Sequence, residues 1–310
     1  MNATVRTYKD ATGAIILLLV IQLLMAMKAG VFNGQLGDTD VYMWLSRVLH
    51  LYETGAWYDH VLPGVNPPVG YEQHWTRPFD VLLLAGAWLG SAFTDFGNAL
   101  YVWSAMISPV LEIFALLVFF RAVIPLYEKP ENEILGLLFI TQMGVITSFV
   151  AGRADHQSLI ILLFIASLGL GLRMLVGPFD RLVCFFAGLI SALSIWVSVE
   201  SILFPLVILA GLGIYWLLGE KGISRKLVHY SVSLFVLLIV FRVTEHGWSR
   251  FSEPAFDQIS IAYIALFGLI AAFWAIVHRL EIQSAGTGSL TGRLGIAVIG
   301  VLVTCLLYTS

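Results

Sequence analysis

The chain has 310 residues, of which 59% are hydrophobic and 12% charged, and its mean hydropathy is +0.88. Soluble globular domains carry roughly 25% charged residues, so the composition excludes one and indicates a polytopic membrane protein. A net charge of −3 without any basic tract excludes a nucleic-acid partner. The two cysteines, Cys184 and Cys305, lie in apolar runs and are expected to be membrane-buried thiols, since no CxxC or Cys/His zinc spacing occurs.

The first apolar run, Ala11 to Met27, follows Arg6 and Lys9 and lacks a convincing cleavage site, so it predicts an uncleaved transmembrane helix. The stretch from 30 to about 98 then predicts a long loop. Asp38-Thr39-Asp40 precedes an amphipathic helix from Val41 to about Glu53, lying on the membrane. Val41, Leu45, Val48, Leu49 and Tyr52 form one face of it, and Ser46, His50 and Glu53 the other. Gly55 ends it. An aromatic and proline-rich stretch follows, with Trp57, Tyr58, Pro67, Pro68, Tyr71 and Trp75 at headgroup depth. The apolar segment 81–93 is shorter than the ~20 residues a span needs and predicts a short helix that does not cross. Runs at about 99–120, 134–150, 158–176, 182–199, 201–218, 227–243, 259–277 and 294–310 bring the expected total to nine spans. The stretches 128–133 and 284–292 read as connecting loops. The chain stops inside the last run, which predicts a truncated C-terminus.

Charge decides the orientation. With the N-terminus cytoplasmic and 81–93 not counted as a span, Arg121, Lys129, Arg173, Arg181, Lys221, Arg225, Lys226, Arg279 and Arg293 fall on the cytoplasmic side. Asp38, Asp40, Asp155 and Glu200 fall on the opposite, external (periplasmic or lumenal) side.

Carboxylates at helix ends of so apolar a chain need a reason. Asp38 or Asp40 can cap the helix that follows them, and Asp155 can cap one starting near Gln157. Capping explains one acid at each place and leaves one over. A shared cation is the alternative, because hard cations take several carboxylate oxygens. Arg153 lies outside, against the inside bias, and reads either as an anion-binding residue or as a snorkelling helix-end residue. His156 reads as a phosphate donor, a ligand or an interfacial polar group. His74 and Arg77 form a second cationic pair that suits phosphate or lipid headgroups. Glu200 reads as an accessory to the site or as a plain interfacial charge. Glu112 lies within a span, where a hydrogen bond to a neighbouring helix is the default.

A family resemblance rests on these motifs. Gly37-Asp38-Thr39-Asp40-Val41-Tyr42-Met43-Trp44, Glu53-Thr54-Gly55-Ala56-Trp57-Tyr58 and Pro67-Pro68-Val69-Gly70-Tyr71 are similar to the first external loop of the oligosaccharyltransferase catalytic subunits. Those are GT-C class membrane glycosyltransferases that use lipid-linked sugars. Val150-Ala151-Gly152-Arg153-Ala154-Asp155-His156 resembles their second external loop. The resemblance covers 37 to about 160, roughly half of the chain. It implies sugar transfer from a polyprenyl-(pyro)phosphate donor with a divalent cation, Mg or Mn. Asp40 would be the catalytic, metal-proximal acid, Asp155 a second metal ligand, and Asp38 an extra acid. The chain departs from the family in lacking a Trp-Trp-Asp-Tyr-Gly motif, so transfer to protein asparagine is unsupported; a glycan, a lipid or another acceptor remains open.

The expectation is one all-α, GT-C-like transmembrane domain over 1–310, with external loops at about 30–98 and 151–157. Its function would be metal-assisted glycosyl transfer at the external face, inverting in stereochemistry. Asp40 and Asp155 should approach closely enough to share a cation, with Arg153, His156, His74 and Arg77 facing the same cavity. The rival is an ion-coupled transporter or lipid-linked-sugar flippase using the same acids.

Overall fold

The computed structural model describes residues 3–62, 64–127, 131–283 and 289–309, except for the side chains of 3–10 and 303–309. Lys129 and the Cys305 side chain lie outside the described residues, as does most of the 284–292 connection. The regular structure of the described residues is helical, apart from one two-stranded antiparallel hairpin. In order, the elements are α1 (Ala3–Lys28), α2 (Thr39–Thr54), β1 (Val61–Leu62), β2 (Tyr71–Glu72), α3 (Arg77–Gly90) and α4 (Phe96–Val123). There follow α5 (Glu131–Thr141), α6 (Met143–Ser148), α7 (His156–Val176), α8 (Arg181–Val197), α9 (Leu203–Leu217), α10 (Ile223–His246), α11 (Ile261–Gln283) and α12 (Leu290–Thr309).

Six helical segments among the described residues are long and apolar enough to cross a membrane: Ala11–Lys28, Phe96–Val123, His156–Val176, Val199–Leu217, Ile223–His246 and Ile261–Gln283. They carry exposed Ile, Leu and Val, such as Ile16, Leu23 and Leu24 on α1, which water would not tolerate over so large an area. The other three expected spans differ. Segment 134–150 is broken at Gln142, whose backbone is extended (ψ 132), into the short helices α5 and α6. Helix α8 has 17 residues, and the apolar part of α12 with described side chains is shorter still.

Two helices lie between α1 and α4. The buried residues of α2 are Val41, Trp44, Arg47, Val48 and Leu51. The expected apolar face is therefore rotated: Tyr52 is exposed and stacks on Phe96, while Arg47 turns inward because Asp80 receives it. Gly55 ends α2 in the left-handed conformation, as expected of a C-terminal glycine. Helix α3 begins earlier than its apolar run, at Arg77, since Pro78 fits the first turn of a helix. Its 14 residues measure about 21 Å, less than the ~30 Å of a hydrocarbon core.

The chain forms two compact units, Met1–Gly169 and Leu170–Ser310. In the first, α4 is the spine against which α1, α3 and α5 pack. The α3–α4 contact is close: the Trp103 indole lies over Gly86 and donates to the Leu82 carbonyl at 3.0 Å, and a Cβ at Gly86 would fall 2.1 Å from the ring. In the second, α10 runs between α8 and α11. Tyr230, Leu234, Leu238, Phe267, Trp216 and Trp274 form its core. Lys226 donates to the Met174 and Gly177 carbonyls at 2.6 and 2.7 Å, satisfying the C-terminus of α7.

Candidate active site

The first unit brings its two acidic motifs together through the backbone. Gly37 N–H donates to the Gly152 carbonyl at 2.8 Å, so the residues that flank it, Asp38 and Arg153, become neighbours. Gly152 adopts φ +85, and a Cβ there would fall 2.6 Å from Val31, so glycine is required twice over. Its own N–H donates to the Ala105 carbonyl at 2.8 Å. That carbonyl is open because Pro109, four residues on in α4, has no N–H to give it. Ser108 Oγ donates to the Arg153 carbonyl at 2.5 Å, and the Gln22 side chain accepts from Ala151 N–H at 3.0 Å. Every turn of the loop before Asp155 is therefore fastened to α1, α4 or the start of the first motif.

The side chains follow from that backbone. Asp38 is the N-cap of α2: its Oδ1 accepts from Val41 N–H at 3.1 Å. Its Oδ2 lies 3.0 Å from Arg153 Nε. Arg153 Nη2 lies 3.3 Å from Asp155 Oδ2, and Nη1 donates to the Thr147 carbonyl at 3.1 Å. One guanidinium thus bridges Asp38 and Asp155. The bridge is loose: the Nε–H finds no aligned acceptor, and the side chain remains 35% exposed. Asp155 is buried, and its Oδ1 takes the Gln157 N–H at 3.1 Å and lies 2.9 Å from His156 Nδ1. Burial alone would push its pKa up; His156, the Gln157 N–H and Arg153 together outweigh this and hold it below the ordinary 3.8.

An aromatic wall stands beside the acids. Trp44 and Trp75 stack at 4.5 Å, and the His156 ring lies 5.7 Å from one and 6.1 Å from the other. His74 is exposed at the rim, edge-on to Trp75 at 6.1 Å. Asp40 is exposed in the first turn of α2, on the face that continues through Trp44 and Arg47.

The acids that meet through Arg153 are Asp38 and Asp155, whereas the expectation paired Asp40 with Asp155; Asp38 holds the cap position and Asp40 lies inside the helix. Arg77 departs from the expectation. It is 1% exposed, donates to Asp80 at 2.9 Å and to the Trp57 and Asp59 carbonyls, and so is consumed in holding the chain between α2 and α3. Asp80 also receives Arg47 at 2.7 Å. Both guanidinium groups are buried in this cluster, Arg47 at 2% and Arg77 at 1% exposed. Glu200 belongs to the second unit, exposed in the 3-10 turn Val199–Ile202. Asp80, Gln22, Ser108 and Pro109 are site elements that the motifs did not single out; a proline inside an apolar span was the one local signal.

The donor set does not fit a divalent cation as arranged. Arg153 already neutralises the two acids that converge, and among the described residues no three His, Cys, Asp or Glu side chains meet as a metal-binding group.

Comparison with known proteins yields a fold. No protein-family model matches the chain, and no curated protein matches it. Among solved structures it is similar to archaeal oligosaccharyltransferase AglB from Archaeoglobus fulgidus in complex with an inhibitory peptide and a dolichol-phosphate, with a TM-score of 0.72 and 16% identity. The match covers 96% of this chain and 37% of that one. The same organism's oligosaccharyltransferase in complex with Zn and sulfate matches at 0.68 over 95% of this chain and 40% of that one, and its apo form at 0.74 over 94% and 36%, both at 16% identity. The chain shares the fold of these solved structures over 94–96% of its length. It spans well under half the length of the oligosaccharyltransferases it matches.

Proposed function

We propose that this protein is a membrane glycosyltransferase that moves a sugar from a polyprenyl-(pyro)phosphate donor to an acceptor at the external membrane face. The observation that carries the reading is Arg153, suspended between Asp38 and Asp155 beside an aromatic wall, on an oligosaccharyltransferase fold. The donor's leaving group is a phosphate oxygen. Arg153 can exchange carboxylate for phosphate, because both accept paired N–H bonds from a guanidinium. His156 adds a ring nitrogen from the same loop, and His74 a second imidazole at the rim.

Asp40 is the acid left exposed for the acceptor. Acting as general base, it takes the proton from the acceptor hydroxyl as the oxygen bonds to the anomeric carbon, and the bond from that carbon to the phosphate oxygen breaks. The negative charge developed on the phosphate meets Arg153. One displacement of this kind inverts the anomeric centre. Trp44 and Trp75 offer flat apolar faces against which a sugar ring or the first isoprene unit can lie.

The acceptor class remains that of a hydroxyl on a glycan or lipid, with protein as a further arm of the assay. The deciding experiment uses purified protein in lipid nanodiscs with polyprenyl-linked sugars, once with Mg²⁺ or Mn²⁺ and once with chelator. Sugar transfer that Asp40→Asn lowers by about 10²–10⁴-fold supports the reading. Transfer unchanged in that variant removes Asp40 from the chemistry. Movement of intact donor across the bilayer without bond cleavage would replace the enzyme with a flippase.

A further inference from the structure

We infer that Gln22 and Glu112, a buried pair in the membrane helices, are positioning residues for the loop that carries Arg153 and Asp155. The inference rests on the reading that this loop serves sugar transfer. Glu112 is 2% exposed in the middle of α4, and Gln22 is 5% exposed on α1. A carboxylate in that setting is expensive and calls for a use. Gln22 Nε2 donates to Glu112 Oε2 at 2.6 Å, while Gln22 Oε1 accepts from Ala151 N–H at 3.0 Å.

The orientation of the amide is what Glu112 supplies. A carboxylate accepts only, so the NH₂ end of Gln22 must face it and the oxygen must face the loop. Reversing the amide would set oxygen against carboxylate and NH₂ against an N–H. The acid therefore acts on a backbone group it does not touch. Ala105, Ser108 and Glu112 share one face of α4. Along it, the Ala105 carbonyl takes Gly152 N–H, Ser108 holds the Arg153 carbonyl, and Glu112, through Gln22, fixes Ala151 N–H. Three consecutive residues are thus fastened by one helix face, immediately before Ala154 and Asp155.

The test joins hydrogen exchange with kinetics. In Gln22→Leu, and in Glu112→Leu, which removes the acceptor, peptides covering 149–155 should exchange about 10-fold faster or more, while α2 and α10 keep their protection. Because misplacement by about 1 Å can cost 10²-fold in rate, Gln22→Leu should lower kcat by about 10–100-fold. That loss should largely vanish when Gln22→Leu is placed in the Arg153→Lys background, since both changes strike the same contact. Glu112→Gln, which keeps an acceptor oxygen at the same reach, should recover more activity than Glu112→Leu. Unchanged exchange in the loop, deprotection spread across the first unit with a falling Tm, or equal losses in both backgrounds would overturn the inference. If the wild type transfers no sugar yet the loop still loosens selectively, the functional reading fails while the holding role of Gln22 and Glu112 stands.

Discussion

Arg153 in the first unit and Arg242 in the second use the same guanidinium to opposite ends. Arg242 is 2% exposed and donates to the backbone carbonyls of Ile259, Glu253 and Arg250, so it closes the 247–260 connection as a permanent clasp. Its neighbour Glu245 is equally committed, taking Trp196 Nε1 at 2.6 Å. Arg153 is a third exposed and leans on two carboxylates, with one carbonyl contact, to Thr147. Carbonyl partners deep inside make a guanidinium structural; charged partners at an opening leave it exchangeable. Arg77, among backbone carbonyls and with Asp80, falls with Arg242 although the motifs had grouped it with Arg153.

The largest expected effect separates these classes by stability. Asp80→Asn strands Arg47 and Arg77 in the interior, which should cost about 3–5 kcal/mol of stability and lower Tm whether or not donor is present. If Tm is unchanged, the buried cluster is not structural and Arg77 returns to the site. Arg153→Lys should do the reverse. Transfer at limiting donor falls by about 10-fold, one good charge-assisted bond, while stability moves by less than about 1 kcal/mol. Wild-type transfer at limiting donor would make Arg153 a plain helix-end residue.

A smaller effect concerns pH. The pKa of Asp155 lies below 3.8 in the folded protein, so its stabilising charge is fully present above the unfolded value and is lost only as pH falls through the lower folded one. The Tm difference between wild type and Asp155→Asn should therefore hold steady from pH 7 to about 4 and narrow below that. A difference that shrinks between pH 7 and 5 would mean the carboxyl is raised instead, and that burial outweighs Arg153 and His156. The smallest effect is expected of Glu200→Gln: exposed and unburied, it should leave Tm within about 0.5 kcal/mol equivalent, and transfer within about 2-fold unless it serves the acceptor.

Several parts of this organisation were legible along the chain because they depend on near neighbours. The apolar runs predicted the long helices, since each span buries or exposes its own side chains regardless of partner. Asp38 announced a helix start three residues ahead of the N–H it accepts, and Gly55 announced the stop. Where a partner far away decided, the reading failed. Arg77 read as part of a cationic pair for phosphate or lipid headgroups, yet it is buried in a cluster where Asp80 also receives Arg47 from the distant helix α2. The 134–150 run read as one span, although the polar step Thr141-Gln142 interrupts it at the place where the helix breaks.

The sequence by itself therefore determined a membrane-embedded helical chain with acids held at helix ends, because hydropathy and capping act within one or two turns. Only the tertiary structure decided that Asp38 and not Asp40 shares Arg153 with Asp155, that Pro109 frees a carbonyl for Gly152, and that Glu112 orients Gln22 toward Ala151. Each of those depends on a donor and an acceptor meeting within about 3 Å from distant parts of the chain. No periodicity records such a distance; the packing of α1 and α4 sets it.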